Sequence, residues 1–202
     1  METQVDTKNW IPVGNYLMLK PAKLNKPNQF QVESLMEDDV FEVLGFGSSF
    51  KADGLKDICQ IGDKVLVVEP TNVKSAGTKV TIGNDEVWFY PPSVVAAVLK
   101  KNAYSDEYEI IPVNDFLMIQ RNESETMIGN IIIIPATTEQ KSTYATVAIL
   151  GNGKSHDDKE YKFELSVGDE VLISKWTDNE IEINNTKYII AKESEILAKV
   201  EK

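Results

Sequence analysis

Short runs of β-branched and aromatic residues, each bounded by Gly, Asp, Asn or Pro, recur along the whole chain. Val65–Val68, Val87–Tyr90, Ile131–Ile134 and Val171–Ser174 are runs of this kind, and each predicts a strand. Glu180-Ile181-Glu182-Ile183 alternates strictly between polar and apolar, the pattern of a strand with one buried face. Asn184-Asn185 then supplies turn chemistry before Lys187–Ile190 returns as its partner. Asp53-Gly54 reads as a second hairpin-type turn. No segment keeps a helical period for three turns. The pattern predicts an all-β protein.

The apolar blocks also repeat. Ile11-Pro12-Val13 through Lys20 returns as Ile111-Pro112-Val113 through Gln120, an offset of 100 (11 to 111). Val43-Leu44-Gly45-Phe46-Gly47 matches Ile149-Leu150-Gly151-Asn152-Gly153 at 106 (45 to 151), and Ile61–Leu66 matches Val167–Leu172, also at 106 (61 to 167). Val94–Val98 matches Ile196–Val200 at 102 (94 to 196). Blocks kept in one order imply a duplicated unit. We expect a first domain at 1–101, a polar linker at 102–109 and a second domain at 110–202. The drift in offset makes the second copy six residues longer between its first two blocks. Framework strands cannot absorb such an insertion without losing register, so it belongs to a loop.

Composition narrows the function. The 202 residues suit two domains of about 100 residues each. A formal net charge of -11 opposes phosphate backbones and anionic lipid, so neither nucleic acid nor a membrane surface is an expected partner. No apolar stretch approaches the roughly 20 residues of a membrane helix, and the polar run Met1–Asn9 does not read as a secretory signal. A cytoplasmic location is the expectation. Cys59 is the single cysteine, which excludes an intrachain disulfide and suggests a core or interface residue. Trp10, Trp88 and Trp176 are expected to pack.

The second unit resembles the GroES-type co-chaperonins, the ten-kilodalton chaperonins. The resemblance lies in Ile111-Pro112 to Ile119, Ala148 to Gly153, Val167-Gly168-Asp169-Glu170-Val171 and Glu193-Ser194-Glu195-Ile196-Leu197-Ala198. The first unit keeps Ile11-Pro12, Gly45-x-Gly47 and Gly62-Asp63-Lys64-Val65, but Pro91-Pro92 replaces the acidic stretch before the last strand. The resemblance implies two tandem GroES-like irregular β-barrel domains, the first of them degenerate. It also implies a homo-oligomeric ring in which first and last strands of neighbouring subunits pair. The implied partner is a GroEL-type chaperonin, whose ATP would drive the cycle; no cofactor of the chain's own is implied.

In that family a mobile loop ends in an aliphatic triplet that docks on the chaperonin. The matching loop runs from about Arg121 to Thr146, which makes Ile132, Ile133 and Ile134 the docking triplet, with Gly129 and Ile131 beside them. Read from the residues alone, a run of four isoleucines is more often a buried strand than a ligand. His156-Asp157-Asp158 falls where the family has its roof hairpin; one imidazole and two adjacent carboxylates lack metal-ligand spacing. Gly45-x-Gly47 and Gly151-x-Gly153 are turn glycines rather than phosphate loops, since no Lys-Ser/Thr follows. Asp63 and Asp169 repeat within turns and read as structural. No catalytic constellation is visible, so no enzyme activity is expected. A second reading is a structural or assembly protein, for example a viral one, that reuses the fold as a scaffold. Ile131 in a position usually held by glycine, and the stiffening Pro135, suit it.

Overall fold

The computed structural model describes residues 10–24, 39–69, 76–122, 127–128, 131–132, 143–153, 160–174, 177 and 179–200. Strands dominate. The first half carries β1 (Leu17–Pro21), β2 (Val40–Phe46), β3 (Lys64–Val67), β4 (Thr78–Ile82), β5 (Asp85–Tyr90) and β6 (Val95–Lys101). The second carries β7 (Tyr108–Pro112), β8 (Phe116–Arg121), β9 (Met127–Ile128), β10 (Ile131–Ile132), β11 (Tyr144–Leu150), β12 (Glu170–Leu172), β13 (Glu180–Ile183), β14 (Thr186–Lys192) and β15 (Ala198–Lys199). Among the described residues, helix is confined to α1 (Asp53–Lys56) and short 3-10 turns such as Pro92–Val94 and Glu193–Glu195. Among the described residues no helix is long and apolar enough to cross a membrane.

Two sheets share one strand order. The first reads β4-β5-β1-β2-β3-β6-β7 and the second β13-β14-β8-β11-β12-β15. Apart from β7, each strand of the first has a counterpart in the same place in the second. The order of the apolar blocks along the chain is thus accompanied by a like order of pairing in the two sheets. Each sheet ends in two unjoined edge strands, so neither is closed by hydrogen bonds into the barrel that the resemblance implied.

Pairing also corrects the alignment. Leu19 faces Val43 across β1–β2, and Ile119 faces Val147 across β8–β11. This sets the second strands at an offset of 104 (43 to 147), not 106. Gly47 and Gly151 are then equivalent, and the backbone shows why both are glycine. A Cβ on Gly47 would lie 2.1 Å from the Gly14 carbonyl oxygen, and one on Gly151 would lie 2.5 Å from that of Phe116. Four of the inserted residues thus fall between the first two strands, and two more precede the third. Val98 faces Val65 as Lys199 faces Val171, so the last strands are offset by 101 (98 to 199).

Two other expectations change. Asp53-Gly54 opens a single helical turn rather than a hairpin. The stretch 102–109 is not a free linker: Tyr108 and Glu109 already belong to β7, which folds back antiparallel on β6 with Leu99 opposite Ile110. The Asn184-Asn185 turn is found as expected, with φ of 53° and 61°, the left-handed pair that a type I′ hairpin demands.

The cores follow from this geometry. Leu17, Leu19, Val43, Val65 and Val98 fill the first unit; Leu117, Ile119, Val147, Val171 and Ile189 fill the second. A third cluster lies between the units, where Val40, Leu66 and Leu99 meet Phe116, Ile181 and Ile190. Val113, from the second unit, sits in the core of the first. Asn114, also buried, donates its side-chain amide to the Val95 carbonyl at 3.0 Å. One joint thus fastens the two halves through β-pairing, apolar packing and a buried amide.

Candidate functional site

The long connection between β8 and β11 is rooted in a firm base. Asn122 N–H donates to the Tyr144 carbonyl (3.0 Å), and Ile173 N–H donates to the Thr143 carbonyl (2.8 Å). Thr146 and Asn122 share a side-chain hydrogen bond of 2.8 Å. Arg121 pairs with Glu180 at 3.2 Å, both largely shielded, and its guanidinium also donates to the Thr177 carbonyl at 2.6 Å. An ion pair this far out of water fixes orientation more than it adds stability. The two stems leave the sheet as neighbours.

Beyond the base, β9 and β10 pair as a separate two-stranded sheet, with Ile131 opposite Ile128 and Ile132 opposite Met127. The backbone of Ile131 and Ile132 is therefore bonded within its own hairpin and joins neither large sheet. Gly129, Ile133 and Ile134, also expected at the docking site, lie outside the described residues, as does Pro135. In the first unit the same connection runs from Pro21 to Val40, four residues shorter, and Ala22 N–H likewise donates to the Val40 carbonyl at the base.

The expected roof segment, His156, Asp157 and Asp158, also lies outside the described residues, but its neck does not. Tyr161 N–H donates to the Gly153 carbonyl at 2.6 Å, closing the loop where Gly153 turns with φ of 67°. Glu193 organises the neck. One carboxylate oxygen accepts the N–H groups of Glu164 and Leu165, and the other accepts the Tyr161 hydroxyl at 2.7 Å. Burial, then the hydrogen bond to Glu193, push the Tyr161 hydroxyl up to about 12. The first unit places α1 and its flanks in this stretch of chain instead.

Residues weighed for chemistry prove structural where they are described. Asp63 accepts the Gln60 N–H and Asp169 accepts the Ser166 N–H, each at 2.8 Å, so both carboxylates close equivalent turns. Gly62 and Gly168 precede them with φ of 95° and 89°, which explains why Gly-Asp recurs. Cys59 is buried in the first core, and burial followed by the Asp63 charge pushes its thiol up to about 12. A thiol held protonated is a poor nucleophile. Its counterpart by turn geometry is Leu165, a plain core residue. Among the described residues no three His, Cys, Asp or Glu side chains converge as metal ligands. Trp88 stacks on Tyr90 as a packing residue (5.6 Å between centroids), and Trp176 lies outside the described residues. Trp10 is a correction: it is 53% exposed. The inter-unit joint was not anticipated at all. Its one sequence signal is Asn114, which stands where the first copy has Gly14 in the same left-handed turn.

Comparison with known proteins places this architecture. The family described as "Chaperonin 10 Kd subunit" (Cpn10) matches residues 109–200. "Co-chaperonin GroES 2" of Rhodopirellula baltica is 35% identical over 91 residues, covering 45% of this chain and 98% of the relative. "Co-chaperonin GroES" of Clostridium botulinum is 40% identical over 92 residues, covering 46% of this chain and 97% of the relative. The residues matched by the family run from β7 to β15, the second unit. At these identities, with nearly the whole length of each relative covered, the chain belongs to the chaperonin 10 Kd subunit family.

Proposed function

We propose that this chain is a co-chaperonin, which caps a GroEL-type chaperonin and assists ATP-dependent folding without catalysing a reaction itself. The observation that carries this reading is the match of residues 109–200 to co-chaperonins over nearly their whole length. The docking element is the segment from Gly129 through Ile131 to Ile132, Ile133 and Ile134. The segment around His156 to Asp158 overhangs the opening of a homo-oligomeric ring.

The energetics suit a reversible cap. Burying one isoleucine side chain contributes roughly 1.5–3 kcal/mol. Ordering a loop backbone costs roughly 1–2 kcal/mol per residue, so one segment binds weakly. Several segments on one ring bind together through effective concentration, and let go when the partner changes shape. The anchored stems at Arg121–Glu180 and Asn122–Tyr144 hold the segment's origin in place on the sheet.

The test is capture of the full chain by a GroEL-type chaperonin with and without ATP. Nucleotide-dependent binding is expected, and Ile133→Asp should reduce it at least a hundredfold while the far-ultraviolet spectrum stays unchanged. Binding that survives Ile133→Asp rejects the docking assignment. The β9–β10 hairpin favours a second reading, a structural or assembly scaffold, because it already ties Ile131 and Ile132 to Ile128 and Met127. A scaffold would bind no chaperonin in either nucleotide state.

A further inference from the structure

The turn between β13 and β14 holds asparagine where the first unit holds glycine. Ile183 faces Thr186 across that turn, as Ile82 faces Asp85 across the turn of β4 and β5. Gly83 (φ 64°) and Asn184 (φ 53°) are therefore equivalent, at an offset of 101 (83 to 184). Glycine enters the left-handed region freely, so the turn itself needs no side chain here. The side chain of Asn184 has a task outside its own hairpin. Its Oδ1 accepts the Tyr108 N–H at 2.8 Å, and its Nδ2 donates to the Tyr108 carbonyl at 2.7 Å. One amide thus takes both backbone groups of one residue, as a neighbouring strand does.

The place of Tyr108 gives that contact its meaning. It lies on β7, the outermost strand of the seven-stranded sheet. Asn102 N–H donates to the Glu107 carbonyl and Val113 N–H to the Ala96 carbonyl, each at 2.9 Å. Backbone direction alternates along an antiparallel strand, so Tyr108, Ile110 and Pro112 turn their groups away from β6. A bare row of this kind is a template for any extended chain. Here both ends of the row are taken. Asn184 holds Tyr108; Pro112 has no N–H to offer, and its carbonyl accepts the Asn152 N–H at 3.2 Å. Ile110 stands between them, and one residue is too short to start a ladder. From the first unit, Lys64 donates to the Tyr108 hydroxyl at 3.0 Å and lies 5.2 Å from its ring centre, which fixes the side chain inside the joint. The Ile-Pro-Val of the first copy ends no sheet: Pro12 belongs to no strand, and Ile11 and Val13 are 79% and 78% exposed.

We infer that Asn184 serves as a one-residue strand that ends the seven-stranded sheet and seals β7 against the addition of a further strand. The strand it keeps out is an extended segment of another, incompletely folded copy of this chain. Such copies meet one another at every round of folding, and an open sheet edge is where they join. The seal is built from side-chain and proline chemistry, so it closes the edge without adding a strand of its own. It depends neither on chaperonin docking nor on the oligomeric state proposed above.

Two glycine variants of the full chain test it. Asn184→Gly installs the residue of the first copy, so the turn keeps its left-handed geometry. Asn185→Gly makes the same exchange one position on, at φ of 61°, and leaves the Asn184 amide in place. Both should keep the circular dichroism of the wild type. In residue-resolved hydrogen exchange the Tyr108 amide should exchange about tenfold faster in Asn184→Gly than in the wild type. Refolding from denaturant, followed by light scattering, should give several times more aggregate for Asn184→Gly. Asn185→Gly should match the wild type in both measurements. Equal Tyr108 exchange in Asn184→Gly and the wild type overturns the inference, because the bond then shields nothing. Equal aggregation of the two glycine variants overturns it as well, because the state of the edge then does not depend on Asn184.

Discussion

The two units of this chain have the same strand order and nearly the same core, yet they differ in what leaves the sheet. The first connects β1 to β2 by a shorter span and carries α1 where the second has the Gly153–Tyr161 loop. Among the described residues, only the second shows a hairpin, β9–β10, on a base fixed by Arg121 and Glu180. A sheet needs its register and its inward-facing side chains, so those positions constrain one another. Loops answer to no such constraint and diverge first. Similarity to co-chaperonins accordingly resides in the unit that has the appendages.

Breaking the shared part should hurt both units alike. Leu17→Ala and Leu117→Ala remove equivalent, fully buried side chains, and each should cost about 2–5 kcal/mol in denaturant unfolding. Because the cluster of Val40, Leu66, Phe116 and Ile181 spans both units, one cooperative transition is expected rather than two. Two separated transitions would mean that the units are independent beads.

The parts found only in the second unit should respond more gently. Arg121→Met removes the ion pair with Glu180 from a shielded place and should cost about 2 kcal/mol. The corresponding first-unit residue is Pro21, which has no charge to lose. Loss of chaperonin capture with little loss of stability would show that the base positions the segment above it. The smallest effect belongs to Tyr161→Phe, about 1 kcal/mol at pH 7. Its pH dependence has a definite sign. The folded chain holds the hydroxyl proton more tightly than the unfolded chain does, so the contribution is complete below pH 10. It then fades as pH rises through about 12. The wild type and Tyr161→Phe should therefore converge in stability above pH 10, and a gap that widened there would contradict the Glu193 hydrogen bond.

Much of the fold was legible in the sequence because β-structure writes itself in short range. Glu180–Ile183 alternates, Asn184-Asn185 permits positive φ, and Gly62-Asp63 and Gly168-Asp169 close identical turns. What escaped depended on a non-local neighbour. Gly45 was matched to Gly151 because both follow an apolar pair; only the crowding of Gly47 against the Gly14 carbonyl shows which glycine is obligatory. Ile-Pro-Val has the same composition at 11–13 and 111–113, and nothing in those three residues says which copy is covered. The candidate segment was legible by resemblance alone, since an isoleucine run reads the same in a core and in a contact. The structure adds that the backbone of Ile131 and Ile132 belongs to a hairpin apart from both large sheets.

Asn114 carries a consequence for how the chain comes apart. Its amide reaches across the internal seam to the Val95 carbonyl and to that of Pro92, whereas Gly14, in the same turn, has no side chain to reach with. A continuous chain and a buried amide thus latch the two units together at one place. Prying them apart would strand that amide away from both carbonyls, so neither half is expected to open while the other stays shut.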